Sequence, residues 1–127
     1  MVYLWVALGG ALGSVARYAC SGLAVRWLGS GFPWGTLFVN VAGSFAIGLL
    51  AALLTTEGRP LLGGDARAFF MVGILGGFTT FSSFSLETLN LARSGALGAA
   101  GANAALSLVL CLASVWLGFA AAALINR

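Results

Sequence analysis

The stretch from Gly76 to Ser85 most constrains what this chain can fold into. It reads Gly-Gly-Phe-Thr-Thr-Phe-Ser-Ser-Phe-Ser and lies in the middle of a hydrophobic segment long enough to cross a membrane. Glycine weakens a helix, and hydroxyls compete for its backbone hydrogen bonds. Backbone that leaves helical geometry inside a bilayer persists only where protein or a water-filled path satisfies it. We therefore expect a broken helix here that faces a partner, an ion or a pore.

The composition is that of an integral membrane protein. Of the 127 residues, 61% are hydrophobic and 7% are charged, whereas a soluble domain carries about 25% charged residues. A membrane helix needs roughly 20 apolar residues, so the chain has room for about four spans and little else. The sequence predicts an all-α membrane protein, with a single four-helix transmembrane domain over residues 1–127.

Turn signals rich in glycine and proline separate four predicted spans. The spans run from about Val2 to Val25, Trp34 to Leu54, Ala66 to Leu91 and Ala96 to Ile125. Small residues let membrane helices approach closely. We expect Gly9, Gly13 and Ala16 to pack on the first helix, and Ala99, Ala100, Ala102, Ala104 and Ala105 on the fourth.

The arginines divide almost evenly between the two predicted ends of the bundle. One end holds Arg59, Arg67 and Arg127, and the other holds Arg26 and Arg93, with Arg17 expected to reach toward that interface. Cytoplasmic loops usually carry the excess of positive charge. The balance favours insertion in both orientations, so that two copies can pair antiparallel. A single orientation set by other factors remains the alternative.

Two polar stripes follow the second and fourth predicted helices. The first consists of Thr36, Asn40 and Ser44, and the second of Asn103, Ser107, Cys111 and Ser114. Residues spaced by three or four share one face of a helix. Each stripe is either the lining of a polar path or hydrogen bonding between helices, and spacing alone does not distinguish the two.

Phenylalanines and hydroxyls lie side by side along the third span. The rings are Phe78, Phe81 and Phe84, and the hydroxyls belong to Thr79, Thr80, Ser82, Ser83 and Ser85. A ring presents a positive edge, and hydroxyls and amides are donors. This combination suits a small anion without a fixed cation, although aromatic packing alone also accounts for the rings.

Missing residue types argue against several classes of protein. The chain has no His, and its acids are Glu57, Asp65 and Glu87, of which Glu87 is expected to pair with an arginine or to cap a helix. A proton-coupled transporter needs an acid or His deep in the membrane, and a small multidrug exporter needs a Glu in its first span. Serine nucleophiles would lack a base, so we expect no enzyme.

Three motif stretches together resemble the Fluc, or CrcB-type, family of fluoride channels. They are Gly9-Gly10-Ala11-Leu12-Gly13 with Arg17-Tyr18, then Gly35-Thr36-Leu37-Phe38-Val39-Asn40 with Gly43, then Gly76–Ser85 with Glu87. The resemblance covers nearly the whole chain, and the third stretch is the most specific. It implies an antiparallel, dual-topology homodimer in the inner cell membrane. The dimer would have two pores that passively export fluoride and relieve its toxicity.

The resemblance also implies roles for individual residues. Asn40 would be the pore amide that donates to fluoride, Phe81 and Phe84 the rings whose edges contact it, and Thr36 part of the polar mouth. The hydroxyls of Thr80, Ser83 and Ser107 would line the pore, with Asn103 where the family has a hydroxyl. Backbone carbonyls of Gly76 and Thr79 from both subunits would hold a structural sodium ion at the dimer centre. A non-transporting scaffold subunit is the alternative, but it leaves the polar stripes and the break unexplained.

Overall fold

The computed structural model describes residues 1–56, 59–60 and 62–126. Two long helices come first, α1 (Val2–Leu28) and α2 (Trp34–Leu53). A short antiparallel hairpin of β1 (Thr55–Thr56) and β2 (Arg59–Pro60) follows. The third span contains α3 (Gly64–Arg67), a π-helix (Ala68–Leu75), α4 (Gly76–Phe78) and α5 (Phe81–Arg93), and α6 (Leu97–Ile125) completes the fold.

The four predicted spans are helical in the structure, with ends that agree to within three residues. The largest difference is α1, which continues past Val25 because nothing stops it before Gly29. Gly29 takes a φ of 81°, in the left-handed region that glycine adopts freely. Gly95, with a φ of 87°, separates α5 from α6 in the same way. Glu57, Gly58 and Arg127 lie outside the described residues.

Within the described residues, three helical segments are long and apolar enough to cross a membrane: Trp34–Leu53, Gly64–Arg93 and Leu97–Ile125. With 27 residues, α1 is also long enough, but it carries two arginines and four glycines. Large apolar side chains such as Trp116 and Val109 are exposed on the outer surface, at 69% and 63%. Such a surface suits lipid rather than water.

The third span breaks at Thr79 and Thr80, as the hydroxyl-rich motif predicted, but the glycine pair itself stays helical. Thr79 and Thr80 have extended backbone, with ψ angles of 156° and 112°. Gly76 and Gly77 belong to α4, which continues directly from the π-helix. The π-helix was not predicted, because its residues, Ala68–Leu75, are an ordinary apolar run.

Glycines allow α1 and the third span to touch through their backbones. Gly9 and Gly13 are buried, and a Cβ added to Gly73 would stand 2.9 Å from the Cα of Gly9. A Cβ on Gly77 would stand 2.6 Å from the Gly10 carbonyl oxygen. The packing role predicted for Gly9 and Gly13 is therefore confirmed. Ala16 is exposed in the single chain and does not lie at this contact.

The packing of α2 against α6 depends on residues that the alanine pattern did not indicate. A Cβ on Gly118 would collide with the Phe45 carbonyl oxygen of α2, and Ala122 is fully buried. Of the predicted alanines, Ala100 is buried, whereas Ala102 and Ala105 are exposed. Composition shows that a helix is rich in small residues, but only the crossing point decides which of them lie at the contact.

Replacing Gly13 by Val should destabilise the fold by about 2 kcal/mol or more, as overpacking at a rigid contact does. A Cβ there would collide with the Ile74 carbonyl oxygen, which belongs to the backbone and cannot rotate away. Thermal unfolding in detergent measures the effect. Gly22→Ala on the same helix is the control, because its added Cβ meets nothing within 4 Å. Equal unfolding midpoints for the two variants would contradict this account of the crossing.

Candidate functional site

The Asn40 side chain holds the break in the third span. Its Nδ2 donates to the Thr80 carbonyl at 3.0 Å, and its Oδ1 accepts from the Thr80 backbone N–H at 2.7 Å. Both backbone groups of Thr80 lose their helical partners at the break, and an unpaired polar group inside a membrane is costly. The side-chain amide replaces those partners, so α2 stabilises the extended backbone of the third span.

This pairing determines which way the Asn40 amide points. Only one orientation lets the oxygen face an N–H and the nitrogen face a carbonyl. An amide nitrogen carries two hydrogens, and the Thr80 carbonyl accepts one of them. The second N–H of Asn40 therefore remains available to another acceptor.

The break also releases carbonyl groups from the end of α4. Because the Thr80 N–H turns to Asn40, no hydrogen bond reaches the Gly76 carbonyl from any described residue. The Gly77 carbonyl instead accepts from Arg17 Nε at 2.9 Å. The expectation that Arg17 reaches the membrane interface is therefore wrong: its guanidinium bonds the third span just before the break.

A cavity of about 500 Å³ adjoins the break. It is lined by α2, both sides of the break and α6, through polar groups that include Asn40, Ser44, Thr80 and Ser107. None of its lining residues, all within the described ranges, carries a formal charge. An anion in this cavity would meet donors and apolar walls without a fixed cation.

Two phenyl rings stand at one side of this cavity. Phe81 and Phe84 both line it, with ring centroids 5.4 Å apart and ring planes at 52°. Phe81 is 79% exposed although it lines the cavity, so one side of the cavity is open within a single chain. Phe78 lies in α4, before the break, and does not line the cavity. The three-residue repeat of phenylalanines therefore does not form one stripe.

Thr80 and Ser83 form hydrogen bonds with each other at the start of α5. The Thr80 hydroxyl oxygen accepts from the Ser83 backbone N–H at 3.2 Å, which caps the helix. The same hydroxyl lies 3.1 Å from Ser83 Oγ. Ser83 does not line the cavity. These two predicted pore residues are thus capping partners, and only Thr80 reaches the cavity.

The two predicted residues of α6 occupy different positions. Ser107 lines the cavity. Asn103 lies behind the wall at 1% exposure, and its Nδ2 donates to Thr88 Oγ1 at 2.9 Å. The sequence analysis did not identify Thr88. The one signal that could have indicated it is its position one helical turn after Phe84.

A second cavity, of about 450 Å³, lies where α1 ends and α2 begins. Thr36 lines it and donates to Glu87 Oε1 at 2.8 Å. Glu87 forms no ion pair with an arginine among the described residues, so the expected pairing is wrong. Its Oε2 is buried and has no hydrogen-bond partner among them. The structure therefore places Thr36 one helical turn from Asn40 but in a separate cavity.

The fold brings five of the predicted site residues to one cavity. These are Asn40, Thr80, Phe81, Phe84 and Ser107, together with Gly76 and Thr79 of the predicted ion site. It separates three others from that cavity, namely Thr36, Asn103 and Ser83. The grouping follows from the break, because residues on both sides of it reach the same space.

Comparison with the sequences of known proteins identifies the family of this chain. The family described as CrcB-like protein, Camphor Resistance (CrcB), matches residues 4–119. The chain belongs to the CrcB-like family. The resemblance that the three motifs indicated is thereby confirmed at the level of the family.

Several relatives of this CrcB-like chain carry the name fluoride-specific ion channel FluC. The protein from Opitutus terrae is 62% identical over 98% of this chain and 95% of its own length. The protein from Rhodospirillum rubrum is 56% identical over 100% of this chain and 98% of its own length. The protein from Thermus thermophilus is 56% identical over 92% of this chain and 91% of its own length. The similarity therefore spans whole chains rather than a single motif.

Replacing Asn40 by Leu should destabilise this CrcB-like protein by about 1–3 kcal/mol for each Thr80 backbone group left unpaired. Leu has the same branched shape, although it is larger, and it neither donates nor accepts. Thermal unfolding of the detergent-solubilised protein measures the loss. Ser44→Ala, one turn further along α2 and also at the cavity, is the control and should unfold like the wild type. If Asn40→Leu also unfolds like the wild type, the amide does not stabilise the break.

Proposed function

We propose that this chain is a fluoride-selective channel that lets fluoride leave the cell passively across the inner cell membrane and so gives resistance to fluoride. The observation that carries the proposal is the uncharged cavity at the break, where Asn40, two phenyl rings and Ser107 converge. The names of the full-length relatives support the same ion.

Fluoride is small and strongly hydrated, so a pore must replace its water with donors. The free N–H of Asn40 and the hydroxyl of Ser107 provide strong donors. The positive ring edges of Phe81 and Phe84 add weaker ones. Conduction also requires that binding be weak enough for release. Several neutral donors meet this requirement better than one fixed cation would. This set of groups suits the transport of an ion rather than the catalysis of a reaction.

We propose that two copies pair antiparallel and that each completes the cavity of the other. Phe81 supports this arrangement, because a ring that lines the cavity is 79% exposed in the single chain. The arginines support dual orientation. Arg17 binds inside the fold, so Arg26 and Arg93 remain at one predicted end of the bundle. The opposite predicted end holds three arginines, and the positive charge of the two ends is therefore nearly balanced.

We further propose a structural sodium ion between the two copies. The Gly76 carbonyl fits such a role, since no hydrogen bond reaches it from the described residues. The neighbouring Thr79 is held in extended backbone, where its carbonyl also leaves the helical ladder. Carbonyl oxygens from two chains are suitable ligands for a small cation in a membrane.

The proposal is tested by fluoride efflux from liposomes that hold the purified protein, read with a fluoride electrode and with chloride as the reference anion. The wild type should release fluoride and retain chloride. Asn40→Asp should release fluoride at the rate of protein-free liposomes, because a carboxylate repels the anion and cannot donate to Thr80. Asn126→Asp, the same change at the exposed end of α6, is the control. Folded wild type without efflux would favour the scaffold subunit, and full efflux by Asn40→Asp would exclude Asn40 as the pore amide.

Replacing Phe81 by Ile should lower fluoride efflux about fivefold, since an aromatic edge contact contributes about 1 kcal/mol. The variant should still form the dimer. Phe38→Ile is the matched control, because Phe38 is exposed on α2 and lines neither cavity. Equal rates for the two variants would mean that the Phe81 ring only packs.

Sodium should raise the thermal unfolding midpoint of the dimer, because a ligand that binds only the folded state stabilises it. The comparison is between sodium chloride and the chloride of a large organic cation, at equal ionic strength. Gly22→Ala, far from the break in the chain, should show the same sodium dependence as the wild type. Identical unfolding midpoints in the two salts would contradict the proposal of a structural sodium ion.

A further inference from the structure

Behind the wall of the cavity, three side chains connect α6 to α5. Asn103 Nδ2 donates to Thr88 Oγ1 at 2.9 Å, and the Thr88 hydroxyl donates to the Phe84 carbonyl at 2.7 Å. On its other side, Asn103 Oδ1 accepts from Ser107 Oγ at 3.5 Å. Asn103 thus joins two residues that line the cavity, although it does not line the cavity itself.

The direction of these hydrogen bonds is determined by the number of protons. A hydroxyl has one proton, and that of Thr88 goes to the Phe84 carbonyl. Thr88 can therefore only accept from Asn103, so the amide nitrogen must face Thr88. The amide oxygen then faces Ser107 and can only accept from it. The Asn103 side chain has a single favourable orientation.

This orientation affects both ends of the network. At one end, Thr88 ties the turn of α5 that carries Phe84 to α6, so the ring is held at the cavity. At the other end, the Ser107 proton points to the amide oxygen. That contact is at the outer limit of hydrogen-bond length and therefore weak. The proton can turn to an anion in the cavity at little cost.

We propose that Asn103 is a positioning residue for fluoride passage, acting through Phe84 and Ser107 without contacting the ion. The inference rests on the proposed channel function. An apolar residue of similar volume would fill the same space without burying an amide, which is costly unless every bond is made. Packing alone therefore does not require Asn103.

Fluoride efflux from liposomes holding the full chain tests this role through a double-mutant cycle. Asn103→Leu should lower efflux about tenfold, the effect expected for a lost hydrogen bond network, and Ser107→Ala should also lower it. If Asn103 acts through Ser107, the two effects will not multiply, and the double variant will match the slower single variant. Ser114→Ala, further along α6 and away from both cavities, should keep the wild-type rate.

A second pair of variants covers the case in which Asn103→Leu fails to fold. Thr88→Ser keeps the hydroxyl and should keep the wild-type rate. Thr88→Val has the same shape without the hydroxyl and should lower efflux. Wild-type efflux by Asn103→Leu, or equal rates for the two Thr88 variants, would overturn the positioning role. Multiplying effects in the double variant would overturn its Ser107 branch and leave the branch through Thr88 and Phe84.

The wild-type measurement separates this inference from the proposed function. A wild type that releases fluoride while Asn103→Leu is unchanged overturns the role of Asn103 alone. A folded wild type that releases no fluoride overturns the channel function and, with it, the positioning role.

Discussion

The paired hydrogen bonds between Asn40 and the Thr80 backbone are the constraint on which the rest of the site depends. A helix cannot be interrupted inside a bilayer unless its freed backbone groups find partners. One amide side chain supplies both partners for Thr80. Because the break is stabilised in this way, α5 can start anew with Phe81 and present its rings to the cavity. The same break leaves the Gly76 carbonyl without a helical partner.

Close packing positions this break relative to the other helices. Glycines of α1 contact glycines of the third span directly, and Gly43 of α2 lies against the Thr79 side chain. Arg17 then binds the Gly77 carbonyl across the same contact. These close contacts together fix the position of Thr80 relative to Asn40.

Much of the fold was predictable from hydropathy, whereas the partners of polar groups were not. Spans, loops and the hydroxyl-rich break depend on local composition, so their positions were correct to within a few residues. The partner of Arg17 could not be predicted, because a carbonyl 60 residues away leaves no trace in sequence spacing. The same holds for Thr36 with Glu87. Asn103 and Ser107 share a helical face and are both buried, yet a small difference in rotation brings only Ser107 to the cavity.

The sequence by itself determined that the chain lies in a membrane, that it has four helical spans, and that the third cannot remain one helix. These properties follow from apolar content, length and the local competition of glycine and hydroxyl groups with the helical ladder. Only the tertiary structure decided that the break falls at Thr79 and Thr80, that Asn40 stabilises it, and which polar residues share one cavity. The reason is that these outcomes depend on where helices cross and rotate. Contacts between distant backbones set the crossing and rotation.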